Sequence, residues 1–338
     1  MRLGKFPSLA LAILAVCYGS ALFAGFVAPY SFETQNRESS YVSPTRLHFF
    51  DRSGRIHWRP FIYPSRARPD GAAEYEEDQT STYPISFLVV GEEYNVIGIL
   101  PARVHLFGVD KPARIFLLGT DVFGRDVFSR LVYGGQISLI ASLAAALVSV
   151  MLGVILGSIS GFYAHWTDAI VMRLTDVFLA MPWLYLLLAV RAALPLHIDS
   201  RQSYLFLAIL IGLVGWARPA RLARGIVLSA KEAEYVLAAR SFGASDGYLF
   251  RRHIFPSLWG MLLTQLAIYI PQYILAEVTL SFLGLGVSEP MASWGNMLGD
   301  LQIFVSDRHW WLFSPAFLLF GVLLAYHGLF AFIKKRTL

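Results

Sequence analysis

Charged side chains and cysteine are both scarce in this sequence. Lys, Arg, Asp and Glu make up 15% of the 338 residues and hydrophobic residues 56%, whereas soluble domains carry about 25% charged residues. The single cysteine excludes an internal disulfide framework and a cysteine-based zinc or iron–sulfur site. Neither a Walker A pattern nor a His-Glu-x-x-His pattern is present, so a P-loop nucleotide site and a zinc-protease site are also excluded. A chain with so few charges is typical of a membrane protein.

Six apolar runs approach the length of about 20 residues that a helix needs to cross a bilayer. They are 7–28, 136–164, 171–190, 203–217, 258–287 and 310–333. We therefore predict an all-α polytopic membrane protein with six transmembrane helices. The first run has a rival interpretation as a cleaved signal peptide, but it exceeds the usual apolar length of such peptides. This favours a retained helix in residues 1–30. Glycine recurs every four residues in the second run and predicts close helix packing, at Gly153, Gly157 and Gly161.

Lys and Arg in the short connections predict the orientation, because cytoplasmic loops are enriched in these residues. With the N-terminus in the cytoplasm, the inner connections and ends carry thirteen Lys and Arg, and the short outer connections carry three. Both termini are then cytoplasmic. The pI of about 9.3 reflects this bias, so we do not expect a nucleic-acid partner.

Nearly half of the charged residues lie in 31–135, with 12 Lys and Arg against 13 Asp and Glu. Residues 31–117 form a predicted extracytoplasmic insertion after the first helix. Its stretches 85–90 and 94–100 are rich in strand-forming residues and predict a small β-rich subdomain. The acidic patch at 74–78 lacks the ligand spacing of a calcium loop, so we expect a solvated turn there.

Acidic residues and a histidine lie within the apolar runs, namely Asp176, which follows Arg173 at the start of its run, Glu277 and His327. A charge inside a membrane is costly, so such residues mark a function or a specific partner. For Glu277, a functional role and a structural hydrogen bond both remain open. For His327, a structural hydrogen bond is favoured over proton transfer.

The connection between the fourth and fifth runs, at about 230–257, is the most informative segment. Its alanine-rich beginning favours a helix, and Gly243 suits the position just after a helix end. Ser245 or Asp246 can cap a second helix. We predict two short helices along the cytoplasmic face. The residues of interest are Glu234, Tyr235, Ala238, Ala239, Gly243, Ala244, Ser245, Asp246 and Pro256.

This segment resembles the EAA loop of ABC-importer permeases, in which Ala-Ala-x-x-x-Gly precedes a proline at a fixed interval. Leu237 stands where that loop usually has its first Glu. Three further segments resemble hallmarks of the dipeptide/oligopeptide/nickel permease family. They are Leu-Gly-Thr-Asp-Val-Phe-Gly-Arg-Asp-Val-Phe-Ser-Arg at 118–130, Arg-Leu-Thr-Asp-Val-Phe-Leu-Ala-Met-Pro at 173–182, and Ala-Glu-Val-Thr-Leu-Ser-Phe-Leu-Gly-Leu-Gly at 276–286 with Ser-Trp-Gly-Asn-Met at 293–297. The resemblance covers about residues 118–300, and the insertion is longer than is usual in the family.

The resemblance implies the type I ABC importer permease fold, with a core permease domain at 118–338, in a C-type subunit of the bacterial inner membrane. It implies four kinds of partner: a second homologous permease, two ATP-binding cassette ATPase subunits, an extracytoplasmic solute-binding protein and membrane lipid. ATP and Mg then belong to the ATPases, and this chain is no enzyme and binds no cofactor or metal. The loop at 232–256 is expected to couple to the ATPases. Relatives carry peptides, nickel chelates, opines and sugars.

Several alternatives remain open. Asp121, Arg125 and Asp126 form either a salt-bridged cap of the second helix or part of an outer gate or docking surface for the binding protein. An ATP-independent secondary transporter is a second function class, although the inverted repeats typical of that class are not evident. A membrane-embedded enzyme needs convergent groups, and the ionisable residues of the apolar runs show no paired spacing.

Overall fold

The computed structural model describes residues 5–52, 54–67, 75–96, 100–193, 200–303 and 309–337. Within these ranges the helices are α1 (Lys5–Leu22), α2 (Ala24–Val27), α3 (Val127–Gly135), α4 (Ser142–Tyr163), α5 (His165–Ala180), α6 (Trp183–Ala193), α7 (Ser200–Val214), α8 (Ala217–Lys231), α9 (Glu234–Ser241), α10 (Asp246–Leu249), α11 (Trp259–Phe282), α12 (Trp294–Ile303) and α13 (Ser314–Thr337). The strands are β1 (His48–Phe50), β2 (Ile56–Ile62), β3 (Ser65–Ala67), β4 (Tyr75–Glu77), β5 (Tyr83–Pro84), β6 (Ser86–Val96) and β7 (Leu100–Gly108). Part of the acidic patch, at 74, lies outside the described residues.

The chain divides into two compact units. The insertion unit comprises Ile13–Ile140 and Ser281–Val322, and the helical unit comprises Met1–Ala12, Ala141–Leu280 and Leu323–Leu338.

Three of the described helices are long and apolar enough to cross a membrane: Val127–Tyr163, Asp246–Phe282 and Trp310–Phe332. Two bent pairs raise the number to five if each pair is one span, namely His165–Ala180 with Trp183–Val190, and Phe206–Val214 with Ala217–Lys231. Ser8–Leu22 is a shorter apolar helix. The helical character of the predicted membrane protein is thus evident, while six spans stay a prediction.

The third predicted span, 171–190, is not one straight helix. α5 and α6 are bent by 90° at the residues between them. Met181 there is extended, with ψ 136°, because the residue before a proline is pushed out of the helical region. Pro182 also lacks the N–H that would continue the helix. The apolar run therefore spans a bend that hydropathy does not register.

In the helical unit, α4 packs closely against α8 along the predicted glycine stripe. A Cβ atom on Gly157 would lie 2.1 Å from the Ala220 carbonyl oxygen, and one on Gly153 would lie 2.5 Å from Pro219. Only glycine allows backbones to approach this closely, so the prediction of a packing stripe is confirmed. α8 is also tied to α5 by two ion pairs, Arg224 with Asp168 and Arg221 with Asp176.

The described residues of the insertion unit form three small antiparallel sheets, with strand orders β1-β2-β5, β3-β4 and β6-β7. Ile62, Ile85 and Ile115 form a buried cluster beneath them. The buried His105 ring bonds through Nδ1 to the Ala28 carbonyl at 2.6 Å, which ties β7 to the residue that follows α2. The predicted stretch 85–90 coincides with the first part of β6, whereas 94–100 covers the end of β6 and the first residue of β7, with 97–99 outside the described residues.

Candidate functional sites

The first candidate site is the segment that joins α8 to α11, which we call the coupling segment (residues 232–258). α9 is held on the helical unit by Val236, which is 1% exposed, and the segment is further anchored by Leu249 and Ile254, both fully buried. The opposite face of α9 is open. Tyr235 is 55% and Leu237 50% exposed, so the residue that replaces the usual Glu adds to an apolar surface.

Gly243 ends α9 as predicted. Its φ of +85° is left-handed, and its N–H donates to the Arg240 carbonyl at 3.0 Å. The Ala244 N–H donates to the Ala239 carbonyl at 3.1 Å, which completes a Schellman motif. A Cβ at Gly243 would meet nothing within 4 Å. The position therefore requires glycine for its backbone conformation, not for space.

The second half of the segment differs from the simple helix expected. Ser245 occupies the N-cap position of α10, but its side chain makes no capping hydrogen bond. Asp246 instead lies 3.5 Å from Arg240. α10 continues through a π turn (Phe250–Ile254) and a 3-10 turn (Phe255–Leu258) into α11. Pro256 explains these turns, because it cannot donate the α-helical hydrogen bond and its ring crowds the preceding turn.

Sequence reasoning missed Phe242, which caps α9 and is 91% exposed. An aromatic side chain in that position is easily assigned to a core from sequence, because nothing local shows which side of a short helix faces outward. Together with Tyr235, Leu237 and the half-exposed Tyr248, it gives the coupling segment an unusually apolar outer surface. Exposed apolar surfaces of this kind occur at protein–protein and membrane contacts and in ligand-binding grooves.

The second candidate site is an ion cluster in the insertion unit, formed by the buried Asp121, Arg125 and Arg130 with the more exposed Glu289 and Asp300. Arg125 is 2% exposed and its Nε donates to Asp121 Oδ2 at 2.6 Å. Arg125 Nη1 and Arg130 Nη2 donate to the two oxygens of Glu289, at 2.5 and 2.9 Å. Sequence reasoning found Asp121 and Arg125. It missed Arg130, Glu289 and Asp300, because the ion pairs of these two acids with the arginines join residues more than 150 positions apart in the sequence.

Asp126 lies beside this cluster and caps α3. Its carboxylate accepts hydrogen bonds from the N–H and Oγ of Ser129, at 2.8 and 2.6 Å. Burial raises the pKa of Asp126 to about 7, against the lowering effect of the Ser129 hydrogen bonds. Burial likewise raises the pKa of Asp300 to about 6. Burial therefore raises the pKa of one carboxyl group in the cluster, Asp300, and of one beside it, Asp126.

Trp294 connects two parts of the insertion unit that are distant in the sequence. Trp294 Nε1 donates to the Leu131 carbonyl at 3.0 Å, and the Trp294 N–H donates to Ser138 Oγ at 3.2 Å. Gly134 packs against the Trp294 ring, since a Cβ there would lie 3.1 Å from it. Within the insertion unit, the residues around Trp294 therefore pack against 131–138, the stretch that directly follows the segment at 118–130.

The two acids of the predicted spans have different surroundings. The Asp176 side chain is 67% exposed and paired with Arg221. Glu277 is fully buried on α11, one helical turn after Tyr273, whose hydroxyl lies 2.7 Å from Ser149 Oγ. Among the described residues, no group of three His, Cys, Asp or Glu side chains could hold a metal ion.

Comparison with known proteins agrees with this architecture. Residues 153–338 match the model of a family described as binding-protein-dependent transport system inner membrane component, and the chain belongs to this family. It is 36% identical over 219 residues to the dipeptide transport system permease protein DppC of Bacillus subtilis (strain 168), which covers 64% of this chain and 67% of that protein. It is 38% identical over 216 residues to the oligopeptide transport system permease protein OppC of the same organism, which covers 64% and 69%. The oligopeptide permease protein OppC of Haemophilus influenzae is 35% identical over 201 residues, or 60% and 63%.

Proposed function

We propose that this chain is the permease subunit of an ATP-driven importer of peptides or a similar small solute, and that it forms half of the translocation path. The observation that carries the proposal is α9, a short helix with a rigid Schellman end and exposed apolar side chains, in a chain that belongs to a transport family. The relatives named as dipeptide and oligopeptide permeases support peptides as the cargo. A nickel chelate, opine or sugar remains the alternative cargo.

The proposed arrangement has six spans of the type I importer permease fold in a bacterial inner membrane. α1, the three long helices and the two bent pairs supply them. Both termini and the coupling segment face the cytoplasm, in agreement with the distribution of Lys and Arg. The β-rich insertion at 31–117 then lies outside, where a solute-binding protein docks.

We assign the coupling role to Glu234, Tyr235, Ala238, Ala239, Gly243, Ala244, Ser245, Asp246 and Pro256. One of the two ATPase subunits, which hold ATP and Mg, would receive this helix. The other ATPase would receive the corresponding helix of a second, homologous permease. Because α8 leads directly into α9 and is ion-paired to α5, a pull on α9 would be transmitted to the bundle as a rigid-body motion.

For the outer cluster we propose a structural role, as the cap of the second span. Asp121, Arg125 and Asp126 are each less than 5% exposed, which supports a cap over a docking surface. Their burial leaves little side chain for a second protein to contact.

Gly243→Asp tests the coupling assignment. A side chain at a left-handed position costs roughly 1 kcal/mol or more, and a charge would be added where the ATPase docks, so we expect ATP-driven uptake to be abolished while the protein still inserts. Gly225→Ala is the matched control, since a Cβ there also meets nothing within 4 Å and Gly225 lies within α8. Uptake is measured with labelled dipeptide in cells that carry the complete transporter.

Normal uptake by the Gly243→Asp variant would overturn the coupling role. Co-purification of ATPase subunits with the wild-type chain supports the importer class. ATP-independent uptake by the isolated chain would instead identify a secondary transporter.

A further inference from the structure

A cavity of about 330 Å³ opens beside the end of α4 in the helical unit. Its apolar wall is formed by Val154, Ile155, Ile159, Phe162, Phe250 and Phe255. The volume lies at the lower end of small-molecule sites, about 300–1,000 Å³. The cavity is large enough for part of a flexible hydrocarbon chain.

One polar group of the wall has no partner. Ser158 is 4% exposed, and its Oγ makes no hydrogen bond within the described part of the chain. A buried hydroxyl without a partner is costly, and serine in a helix can usually donate to a carbonyl of the preceding turn. Ser158 lies five residues before the end of α4, which places it about 8 Å from that end along the helix axis at a rise of 1.5 Å per residue. A hydrogen-bond acceptor from a bound molecule would satisfy it.

Basic groups lie next to the cavity. Lys231 Nζ donates to the carbonyl of the wall residue Phe162 at 2.9 Å. Arg251 and Arg252 are exposed and directly follow the wall residue Phe250 in the same π turn. Asp246 is the acid in the wall, and Arg240 lies 3.5 Å from it, so its charge is compensated. We call Lys231, Arg251 and Arg252, which adjoin wall residues by a hydrogen bond or in the chain, the basic rim of the cavity.

Aromatic residues indicate where this opening lies. Tyr163 is 62% and Trp259 55% exposed, and the Trp259 ring packs at 5.7 Å against the wall residue Phe255. Exposed Tyr and Trp at the ends of spanning helices are enriched at the membrane–water interface. Such residues beside the opening are what a position at the membrane–water interface, near the depth of lipid ester groups, would require.

We propose that this cavity binds one acyl chain of an anionic phospholipid, with an ester oxygen on Ser158 Oγ and the phosphate beside Lys231, Arg251 and Arg252. The site then lies in the inner leaflet and shares residues with the coupling segment, an assignment that rests on the proposed orientation. A bound lipid would stiffen the junction between α4 and the coupling segment. Transport would consequently depend on anionic lipid.

A lipid fits this site better than a segment of another protein does. The wall continues an exposed apolar stripe along α4, formed by Met151, Ile155 and Ile159, which are 59%, 51% and 40% exposed. A lipid tail can follow such a stripe into the cavity, and anionic headgroups are attracted to Lys and Arg near the membrane surface. The apolar cavity suits the acyl chain of a phospholipid, the Ser158 hydroxyl can donate to its ester group, and the basic rim suits its phosphate.

The test uses the assembled transporter in phosphatidylcholine nanodiscs with increasing phosphatidylglycerol, and native mass spectrometry counts the retained lipids. Ser158→Phe fills the cavity and removes the donor, and Val154→Phe fills it from another position. Met151→Phe adds the same ring on α4 outside the cavity and serves as the matched control. A double variant, Arg251→Gln with Arg252→Gln, removes the rim charge, with Arg173→Gln, an exposed arginine of α5, as its control.

We expect one phosphatidylglycerol to be retained by wild type, by Met151→Phe and by Arg173→Gln. Both cavity variants should lose it, and the double variant should bind it roughly tenfold more weakly or worse, because each Lys or Arg near the surface attracts anionic lipid. Unchanged retention in the cavity variants would overturn the proposal. Loss of subunit assembly in both cavity variants, with normal assembly of Met151→Phe, would also overturn it and identify a protein segment as the occupant. Lipid retention is measured by mass spectrometry without any uptake assay. A negative result would therefore contradict the lipid site without bearing on the coupling role of α9.

Discussion

Asp126 combines a capping role with complete burial. Its pKa is raised from 3.8 to about 7, so it binds a proton more tightly in the folded than in the unfolded chain. Such a group contributes stability at low pH that is lost as the pH rises through the folded pKa. Asp126→Asn keeps an oxygen that can accept from Ser129 and removes the ionisation.

We therefore expect Asp126→Asn to match wild type in apparent Tm near pH 4 and to exceed it increasingly up to pH 8, as measured by thermal unfolding of the purified protein. Asp110→Asn is the control, because Asp110 is an exposed acid of the same unit. A difference that does not change with pH would show that Asp126 ionises without cost in the folded protein.

Arg125 separates the two interpretations of the outer cluster. Arg125→Glu would place a buried acid beside Asp121 and Glu289, with no positive partner of its own. An uncompensated buried charge costs about 3–5 kcal/mol, so we expect folded protein to be lost, as measured by the yield of monodisperse protein after purification. Folded protein that no longer captures the binding protein would favour a docking surface instead.

The matched control for Arg125 is Arg103→Glu. Arg103 pairs with Glu93 at 2.6 Å in the same unit, but the two side chains are 66% and 57% exposed. Exposed pairs contribute about 0–1 kcal/mol, so this reversal should leave the yield of folded protein nearly unchanged.

At the scale of elements, the contact between α4 and α8 depends on the absence of side chains. The Cβ of Gly157→Ala would lie 2.1 Å from the Ala220 carbonyl oxygen, so α4 and α8 must separate. Overpacking of this kind costs about 1–3 kcal/mol, and we expect a lower apparent Tm. In Gly260→Ala, a helical glycine with nothing within 4 Å, the same change should be neutral or stabilising by up to about 1 kcal/mol. Equal Tm values for both variants would contradict a tight packing stripe.

The elements that the sequence predicted well are those with local causes. Gly243 ends α9 because of its own backbone freedom, and the glycine stripe is visible from its spacing. The bend at Pro182 also has a local cause, but it was not predicted, because a count of apolar residues does not detect a proline that interrupts a helix. The helix that contains α3 and α4 begins at Val127, nine residues before the predicted run, because its first turn is polar and capped by Asp126. Hydropathy alone does not register such a start.

The ion cluster could not be predicted in full, for a physical reason. Glu289 and Arg125 are 164 residues apart, and a single sequence contains no signal that pairs a particular acid with a particular arginine over that distance. Both residues nevertheless lie in or beside segments that were singled out by their resemblance to a known family. The resemblance located the site, and only the three-dimensional packing showed that the two segments meet.

At the scale of the whole molecule, the uneven distribution of charge has two separate causes. The insertion at 31–117 carries acids and bases that pair with one another, as Glu93 does with Arg103. The net positive charge lies mainly around α8 and the coupling segment, where Arg221 and Arg224 pair with acids of α5 and Arg218, Arg240, Arg251 and Arg252 are exposed. The family match covers 153–338 and thus includes the coupling segment but not the insertion.

The orientation that follows from this distribution can be tested with the one cysteine of the chain. Cys17 is buried, so Cys17→Ala provides a background for single cysteines at Trp58→Cys and Phe242→Cys, positions that are 99% and 91% exposed. A membrane-impermeant maleimide should label position 58 in intact spheroplasts and position 242 only in inverted vesicles. Val322→Cys, at a fully buried position, is the unlabelled control. Labelling of both positions from one side would contradict the proposed topology. Because α9 is proposed to fill an ATPase groove, labelling at 242 should also be suppressed in the assembled transporter and restored when the ATPases are stripped from the vesicles.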